Sequence, residues 1–449
     1  MTPQLPPSSF PISLSDGGLK FVGRKLNITL LTVGAMGDTQ PFVALAARFI
    51  QQGHTVKLAA RPDFAGLAAS YGIEFASLGN PYKSLLRSEE VATAIGSGKM
   101  LRMIVKQASD SNQRKAFLEG LDTDAIRAVQ GADAIIYKSS WIPFYSIAEK
   151  LGVPSAAAMF MPLTRTSSFP SFLIGGGKDR GPMINSLIWR VTEQFIWQVS
   201  RNFDNKMRGE LLGLPRLPFW GPSARQLERT PLFYAYSPTV IPRPTDWPER
   251  IQITGFWFSD PPPAWSPPPD LVAFLESGPP PVYVGFGSMP SGSAEDTLKL
   301  ILKALELSHQ RGVLLSGWAG IGEDRKLPEY AFGVESVPHS WLFPRMSAVV
   351  HHGGAGTTGA GLRAGVPSII TPFVADQPNW ARRIEALGVG PSAIPFRELT
   401  ADLLADAIHE ATLDPAIRKR AFALGEQIRS EDGTGSTVDM FMSFVRRGT

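Results

Sequence analysis

The chain has 449 residues, 43% of them hydrophobic and 19% charged, with a formal net charge of +4 and no cysteine. That length exceeds what one typical core fills and sets the expectation of two domains of about 200 residues each. Disulfides, thiol catalysis and cysteine-held metal are excluded, no concentrated basic stripe marks a nucleic-acid binder, and no run reaches the roughly 18 apolar residues of a membrane helix.

Residues 1–25 read as a Pro/Ser/Gly-rich arm without the charged start and apolar run expected of a secretory signal. From Leu26, NITLLTVGAMGD reads as a buried strand ending in a glycine turn. The helix PFVALAARFIQQG follows, then the strands HTVKLAA, ADAIIYKSS and PSAAAMF at helix-plus-strand spacing. Such alternation predicts a parallel, doubly wound α/β sheet. A helical stretch runs from about Ile184 to Leu212 with large apolar side chains on more than one face. Proline triplets at 261–263, 267–269 and 279–281 then read as a semi-rigid linker. PVYVGFGSM opens a second strand–turn–helix series, and a final helix spans about Asp432 to Arg447. The expected organisation is an arm at 1–25, a first Rossmann-like domain at 26–250, a linker at 251–280, a second Rossmann-like domain at 281–430, and a terminal helix at 431–449.

The densest chemistry lies between Val337 and Trp380. A strand from Ala348 to Val350 runs into His-His-Gly-Gly-Ala-Gly-Thr-Thr, then a helix, then a strand from Ser368 to Thr371. A helix N-terminus after a glycine turn presents backbone N–H groups and a favourable dipole to an anion such as a diphosphate. Gly354 and Gly356 let the anion approach the backbone, Thr357 and Thr358 add hydroxyls, and His352 can donate an imidazole N–H. Adjacent strand residues point to opposite faces, so His351 and His352 are no zinc pair. His352 is expected toward the ligand and His351 in a structural place. Asp376 and Gln377 follow the next strand, where open α/β sheets bind ligands. Acceptors beside an amide suit sugar hydroxyls, and anion plus polyol points to a nucleotide sugar.

The wording PHSWLFPRMSAVVHHGGAGTTGAGLRAGVPSIITPF followed by DQPNWA resembles the donor signature of UDP-dependent glycosyltransferases with the two-domain GT-B fold. It is most similar to sterol glucosyltransferases and their bacterial lipid- and natural-product-modifying relatives. Where plant enzymes stack a tryptophan on uracil this chain has Ser336, and where they bind ribose with glutamate it has Ala360. The resemblance leaves Trp318, in LLSGWAG, to cover the base, with Val337 offering its backbone. GAMGDTQPFVALA, Gly34 to Ala46, resembles the GxxGDxxP turn of the same enzymes, which implies Asp38 as general base. The alternative is that Asp38 caps a helix beginning at Pro41. In GFGSM, Ser288 resembles the residue that reaches the donor phosphates across the cleft, with a plain strand-to-helix turn as alternative. The terminal helix resembles the family's helix that crosses back to the first domain. The resemblance is to metal-independent enzymes, so Asp122 and Asp124 read as helix caps. His54, in the turn GHTV, reads as structural or exposed.

In this fold the first domain holds the acceptor. Trp141, Phe144, Met159, Phe160, Phe169 and Phe172 are the candidate pocket residues, in a region where more than half of the bulky side chains must be core. A flat lipophilic alcohol, such as a sterol, triterpenoid or polyketide, suits them. INSLIWRVTEQFIWQVSRN reads either as a helix resting on a membrane surface or as a buried one. The implied activity is inverting transfer of a hexose, glucose from UDP-glucose, with no metal and no cofactor beyond the sugar nucleotide as co-substrate. Asp38 and His352 would carry the step. Two other classes stay open: a non-catalytic nucleotide-sugar binder that activates a partner, and an epimerase or hydrolase on the same fold. A cytoplasmic place with a peripheral membrane contact is the expectation for such a chain.

Overall fold

The computed structural model of the chain describes residues 24–81, 120–139, 144–173, 179–220, 230–287, 294–315 and 326–447. Trp141, Ser288 and Trp318 lie outside them.

Seven strands build the first sheet: β1 (Asn27–Leu31), β2 (Thr55–Ala60), β3 (Glu74–Ser77), β4 (Ala134–Lys138), β5 (Ser155–Met159), β6 (Leu232–Tyr234) and β7 (Ile251–Ile253). All pair in parallel in the order β3-β2-β1-β4-β5-β6-β7. Ile28, Leu30, Leu31, Ile135 and Ile136 are buried, the near-continuous apolar runs that a sheet covered on both faces demands. Around it lie α1 (Met36–Gln51), α2 (Ala65–Ser70), α3 (Leu121–Ala128), α4 (Phe144–Leu151) and α5 (Pro182–Lys206). The helix expected from about Ile184 to Leu212 is α5 plus one π-helical turn at Met207–Leu211. That turn carries Arg208, which is buried and holds Glu149 through both carboxylate oxygens, at 2.7 and 3.1 Å.

The second sheet has β8 (Val282–Gly285), β9 (Gly312–Leu315), β10 (Ala331–Val334), β11 (Ala348–His351) and β12 (Ser368–Ile370), all parallel in the order β10-β9-β8-β11-β12. Its helices are α6 (Pro269–Glu276), α7 (Ala294–Leu307), α8 (His339–Leu342), α9 (Ala355–Ala364), α10 (Gln377–Leu387), α11 (Ala401–Leu413) and α12 (Pro415–Arg429). The expected linker begins inside the first sheet, because Ile251 to Ile253 pair with β6, and α6 occupies its far end. Three residues, Ile-Gln-Ile, of which only the first is fully buried, carry too little pattern to announce a strand.

The last helix, α13 (Gly433–Arg447), returns to the first domain. Val438, Phe441, Met442 and Val445 join Phe42, Val43 and Phe49 of α1 in one buried cluster, and Phe441 meets Phe49 edge to face at 6.1 Å. Trp257 donates its indole N–H to Thr437 at 2.9 Å, and Arg48 pairs with Asp432 at 2.5 Å. The chain crosses itself here. A Cβ on Gly433 would stand 2.3 Å from the Phe256 carbonyl oxygen, so the helix can start against this backbone only as glycine. Gly433→Ala is therefore expected to lower stability by about 1–3 kcal/mol in urea unfolding, the cost of overpacking against immovable backbone. Gly66→Ala, where nothing lies within 4 Å, should unfold at the wild-type midpoint or above it. Equal midpoints for Gly433→Ala and wild type would contradict the close crossing.

Candidate active site

In each sheet the strand order reverses once, between β1 and β4 in the first and between β8 and β11 in the second. Crevices outside the carboxyl ends of strands at such switch points are where open α/β sheets bind ligands. Both candidate motifs lie at these points.

The β11–α9 turn has the two imidazoles 6.4 Å apart with rings nearly perpendicular. His351 is fully buried, and its Nδ1 accepts the Gly353 N–H at 3.1 Å. Burial, then the neighbouring His352 and His339, holds it well below the ordinary histidine range. His352 lies in a slot between two glycines: a Cβ on Gly354 would stand 2.5 Å from its Nε2, and one on Gly287 3.0 Å from its Cε1. Burial lowers its pKa to about 4, so the ring is neutral at physiological pH. Its Nδ1, His351 Nε2 and Thr358 Oγ1 are buried without a hydrogen-bond partner among the described residues. Thr358 N–H makes a ladder bond to Gly354 C=O at 2.9 Å. The amides of Ala355, Gly356 and Thr357 precede it at the helix start, where donors have no intrahelical acceptor. Thr357 is half-buried and Gly356 exposed.

Asp376 stands at the start of α10, with no side-chain cap bond, after Ala375, which has φ 60. A left-handed non-glycine residue at this place is a strain that the surrounding turn must hold. The Asp376 carboxylate accepts the indole N–H of Trp380, one helical turn on, at 2.8 Å. Its pKa is pushed up to about 6, first by burial and further by Asp38 across the cleft. The Trp380 hydrogen bond and the Lys138 charge oppose the rise. Gln377 differs from the expectation. Its side-chain carbonyl accepts the backbone N–H of Phe373 at 2.8 Å and of Val374 at 3.1 Å, so that end of the amide braces the turn. Val337 packs its side chain into the cluster of Leu342, Phe343 and Tyr283.

From the first sheet comes Asp38, in the first turn of α1, which begins at Met36 rather than Pro41. One carboxylate oxygen accepts the Ala35 N–H at 2.9 Å and the other lies 2.6 Å from Lys138 Nζ. Asp38 is thus a cap and a cleft carboxylate at once. Gly34 makes this possible, since a Cβ there would overlap the carboxylate at 1.9 Å and its φ is 147.

The apolar candidates divide. Phe172 meets Trp380 edge to face at 6.2 Å, and Phe169 meets Phe172 at 5.9 Å and Trp247 at 6.3 Å. Asn379 donates to the Phe172 carbonyl at 2.8 Å, docking this loop of the first domain onto α10. Met159 is half-buried at the end of β5. Phe144 and Phe160, expected at the acceptor pocket, are core side chains instead. Phe144 is fully buried in the cluster under β4, and Phe160 is wedged edge-on between Phe42 and Trp257 at 5.9 and 6.1 Å. Trp189 and Trp197 are buried and hydrogen-bonded to backbone carbonyls, which makes that face of α5 interior. His54 is structural, its Nδ1 accepting the Leu26 N–H at 3.2 Å. Asp124 accepts the Gly79 N–H at 3.0 Å, and Asp122 that of Thr123 at 2.8 Å.

Three residues of this site were not among the sequence candidates: Lys138, Trp380 and Tyr236, whose ring lies 6.4 Å from that of Trp380. Only Trp380 left a local signal, its spacing of four from Asp376 on one helix face.

Comparison with known proteins agrees with this architecture. Residues 28–170 match the glycosyltransferase family 28 N-terminal domain, and residues 320–438 match the C-terminal domain of erythromycin biosynthesis protein CIII-like proteins. The sterol 3-beta-glucosyltransferases UGT80A2 and UGT80B1 of Arabidopsis thaliana are 35% and 34% identical, over 94% and 93% of this chain and 66% and 68% of their own lengths. A sterol 3-beta-glucosyltransferase of Cryptococcus neoformans is 33% identical over 98% of this chain, which spans only 29% of that longer protein. Among solved structures, the glycosyltransferase of kitacinnamycin superposes with a TM-score of 0.65 at 19% identity, covering 94% of this chain and 99% of that one. The glycosyltransferase VinC in complex with dTDP gives 0.59 at 18% identity, covering 94% and 100%. The chain belongs to the sterol 3-beta-glucosyltransferase family and has its GT-B fold.

Proposed function

We propose that the chain is an inverting glycosyltransferase that moves a hexose, glucose from UDP-glucose, onto a hydroxyl of a flat lipophilic alcohol such as a sterol. The observation that carries this reading is that Asp38 and Asp376, one from each sheet's switch point, lie near enough for the charge of one to act on the other. A protein that only holds a nucleotide sugar has no use for a second carboxylate facing the first.

The step needs a base, a leaving-group site and a dry cleft. The acceptor O–H gives its proton to Asp38 as its oxygen attacks the anomeric carbon. The bond from that carbon to the diphosphate breaks, and its electron pair leaves with UDP. Amides at the start of α9, the Thr357 and Thr358 hydroxyls and a neutral His352 N–H receive the charge that develops on the departing oxygens. Donors fixed beforehand act there without reorganisation. Among them, the buried unpartnered atoms of His352 and Thr358 favour a ligand in this turn. No metal or other cofactor enters the proposed step. Asp376 holds the sugar hydroxyls, with Trp380 keeping its carboxylate in place. Met159 and Phe169, both half-buried, offer the acceptor an apolar surface backed by the buried Phe172, and sterol transfer is what the names of the relatives state.

An acceptor of this kind dissolves in bilayers, and α5 has a surface suited to one. Met183, Leu187 and Val191 form an exposed stripe at helical spacing. Gln194 and Gln198, continuing that face, hold the Phe219 carbonyl at 3.1 and 2.7 Å and so place Phe219 and Trp220 along it. Met183 is 87% and Trp220 76% exposed, beside the exposed Arg190 and Arg216. The ridge runs about 24 Å along the helix. No helix among the described residues is long and apolar enough to cross a membrane, so the proposed contact is peripheral, an apolar face in the headgroup region with cations beside it.

Asp38→Asn is expected to lower kcat by about 10²–10⁴-fold, the usual worth of a placed general base, with UDP-glucose affinity by calorimetry unchanged. A near-normal rate of UDP release in a folded variant would end the base assignment. Leu187→Ser with Trp220→Ser should abolish cosedimentation with anionic phosphatidylserine vesicles while keeping the rate on detergent-dispersed sterol. Undiminished sedimentation would remove the membrane contact from the account.

A further inference from the structure

Lys138 closes β4, the strand that flanks β1 at the switch point. Leu31 and Tyr137 are paired in register, so Lys138 stands beside the first residues of the turn that leads to Asp38. Its ammonium lies 2.6 Å from one Asp38 oxygen and 3.4 Å from the Val33 carbonyl, with its side chain 19% exposed. The second Asp38 oxygen accepts the Ala35 N–H. Both oxygens are therefore held, and each keeps a further lone pair for an incoming proton.

Opposite stands Asp376. Two carboxylates facing across a cleft repel, and the loss of water on closure strengthens the repulsion. Among the described residues, the other titratable groups facing the pair do not relieve it. His352, on the β11–α9 turn, is neutral, and burial keeps the Tyr137 and Tyr236 phenols protonated. Lys138 acts on both carboxylates: it touches Asp38, and its charge works on Asp376 in the sense opposite to that of Asp38.

We propose that Lys138 is a positioning residue for the transfer step: it clamps Asp38 toward the acceptor hydroxyl and supplies the shared positive charge that lets Asp38 and Asp376 be ionised together in the closed cleft. This rests on the reading of Asp38 as the base. Lys138 neither gains nor loses a proton. The acceptor proton ends on Asp38 and the electron pair of the broken bond ends on UDP.

The test is the pH dependence of kcat/KM for Lys138→Met and Lys138→Arg, beside wild type and Asp38→Asn. The acidic limb belongs to the facing carboxylates as a pair. Losing an adjacent cation favours their protonated forms, so the limb of Lys138→Met moves up by about one pH unit or more. Its rate falls about tenfold at pH values below the wild-type limb and stays within a few-fold on the plateau above. Lys138→Arg keeps the limb in its wild-type place, and Lys138→Met combined with Asp376→Asn, with one carboxylate fewer, brings it back down. A loss of the same factor at every pH, with the limb unmoved, reduces Lys138 to a packing residue and overturns the proposal. So does an Arg variant whose limb moves, a result that does not depend on the methionine variant folding. An inactive Asp38→Asn with an unmoved Lys138→Met limb sinks the lysine's role alone. An active Asp38→Asn sinks the base reading beneath it.

Discussion

Trp380 is the side chain on which the two halves of the molecule meet. Its ring is fully buried and touches Phe172 and Tyr236 of the first domain, with Phe256 of the segment between the sheets tilted over it at 6.4 Å. Its N–H holds Asp376. A single residue therefore ties the apolar seam between the domains to the polar group proposed to grip the sugar. Aromatic edges packed this way contribute beyond their buried area, and the hydrogen bond gives the seam an orientation that apolar contact alone lacks. The C-terminal helix ties back to the first domain at a second place, with Phe441 and Val445 against α1 and Trp257 bonded to Thr437.

That seam imposes an electrostatic condition. Burial first, and the charge of Asp38 after it, push the Asp376 carboxyl up to about 6. The two carboxylates are not equivalent. Asp38 is pinned by an amide and an ammonium, whereas Asp376 has an indole N–H and more burial. Environments that push paired carboxylates apart divide labour between them. In the proposed step this division assigns the first domain the proton acceptor and the second the sugar clamp. The glycine slot around His352 completes the arrangement, since a neutral ring wedged between Gly287 and Gly354 is oriented before any ligand arrives.

The β11–α9 turn was legible because its parts are contiguous. Ala348 to Thr358 carries strand, glycines and helix start in one stretch, and the alternation that separated His351 from His352 is a local property of strands. The Asp38 turn was legible for the same reason, though the helix start at Met36 and the room that Gly34 leaves for the carboxylate came from the structure. Lys138 was not, because it comes from another strand a hundred residues away and meets Asp38 only through parallel pairing. Phe144 and Phe160 were read as pocket residues since sequence reports how apolar a side chain is, not which face of the sheet it covers. Phe169 and Phe172, from the same composition, came to the seam. Gln377 shows the reverse limit: an amide beside the candidate aspartate looked free for sugar, while the backbone N–H groups of Phe373 and Val374, just ahead of the left-handed Ala375, had already claimed its carbonyl.

The most direct test of the account is the configuration of the product, read by NMR of the glycoside formed from UDP-α-glucose and a sterol. One in-line displacement, with Asp38 taking the proton and α9 the leaving diphosphate, predicts a β-glucoside carrying a single hexose. An α-glucoside, or free glucose released at the same rate with or without the alcohol, would contradict it.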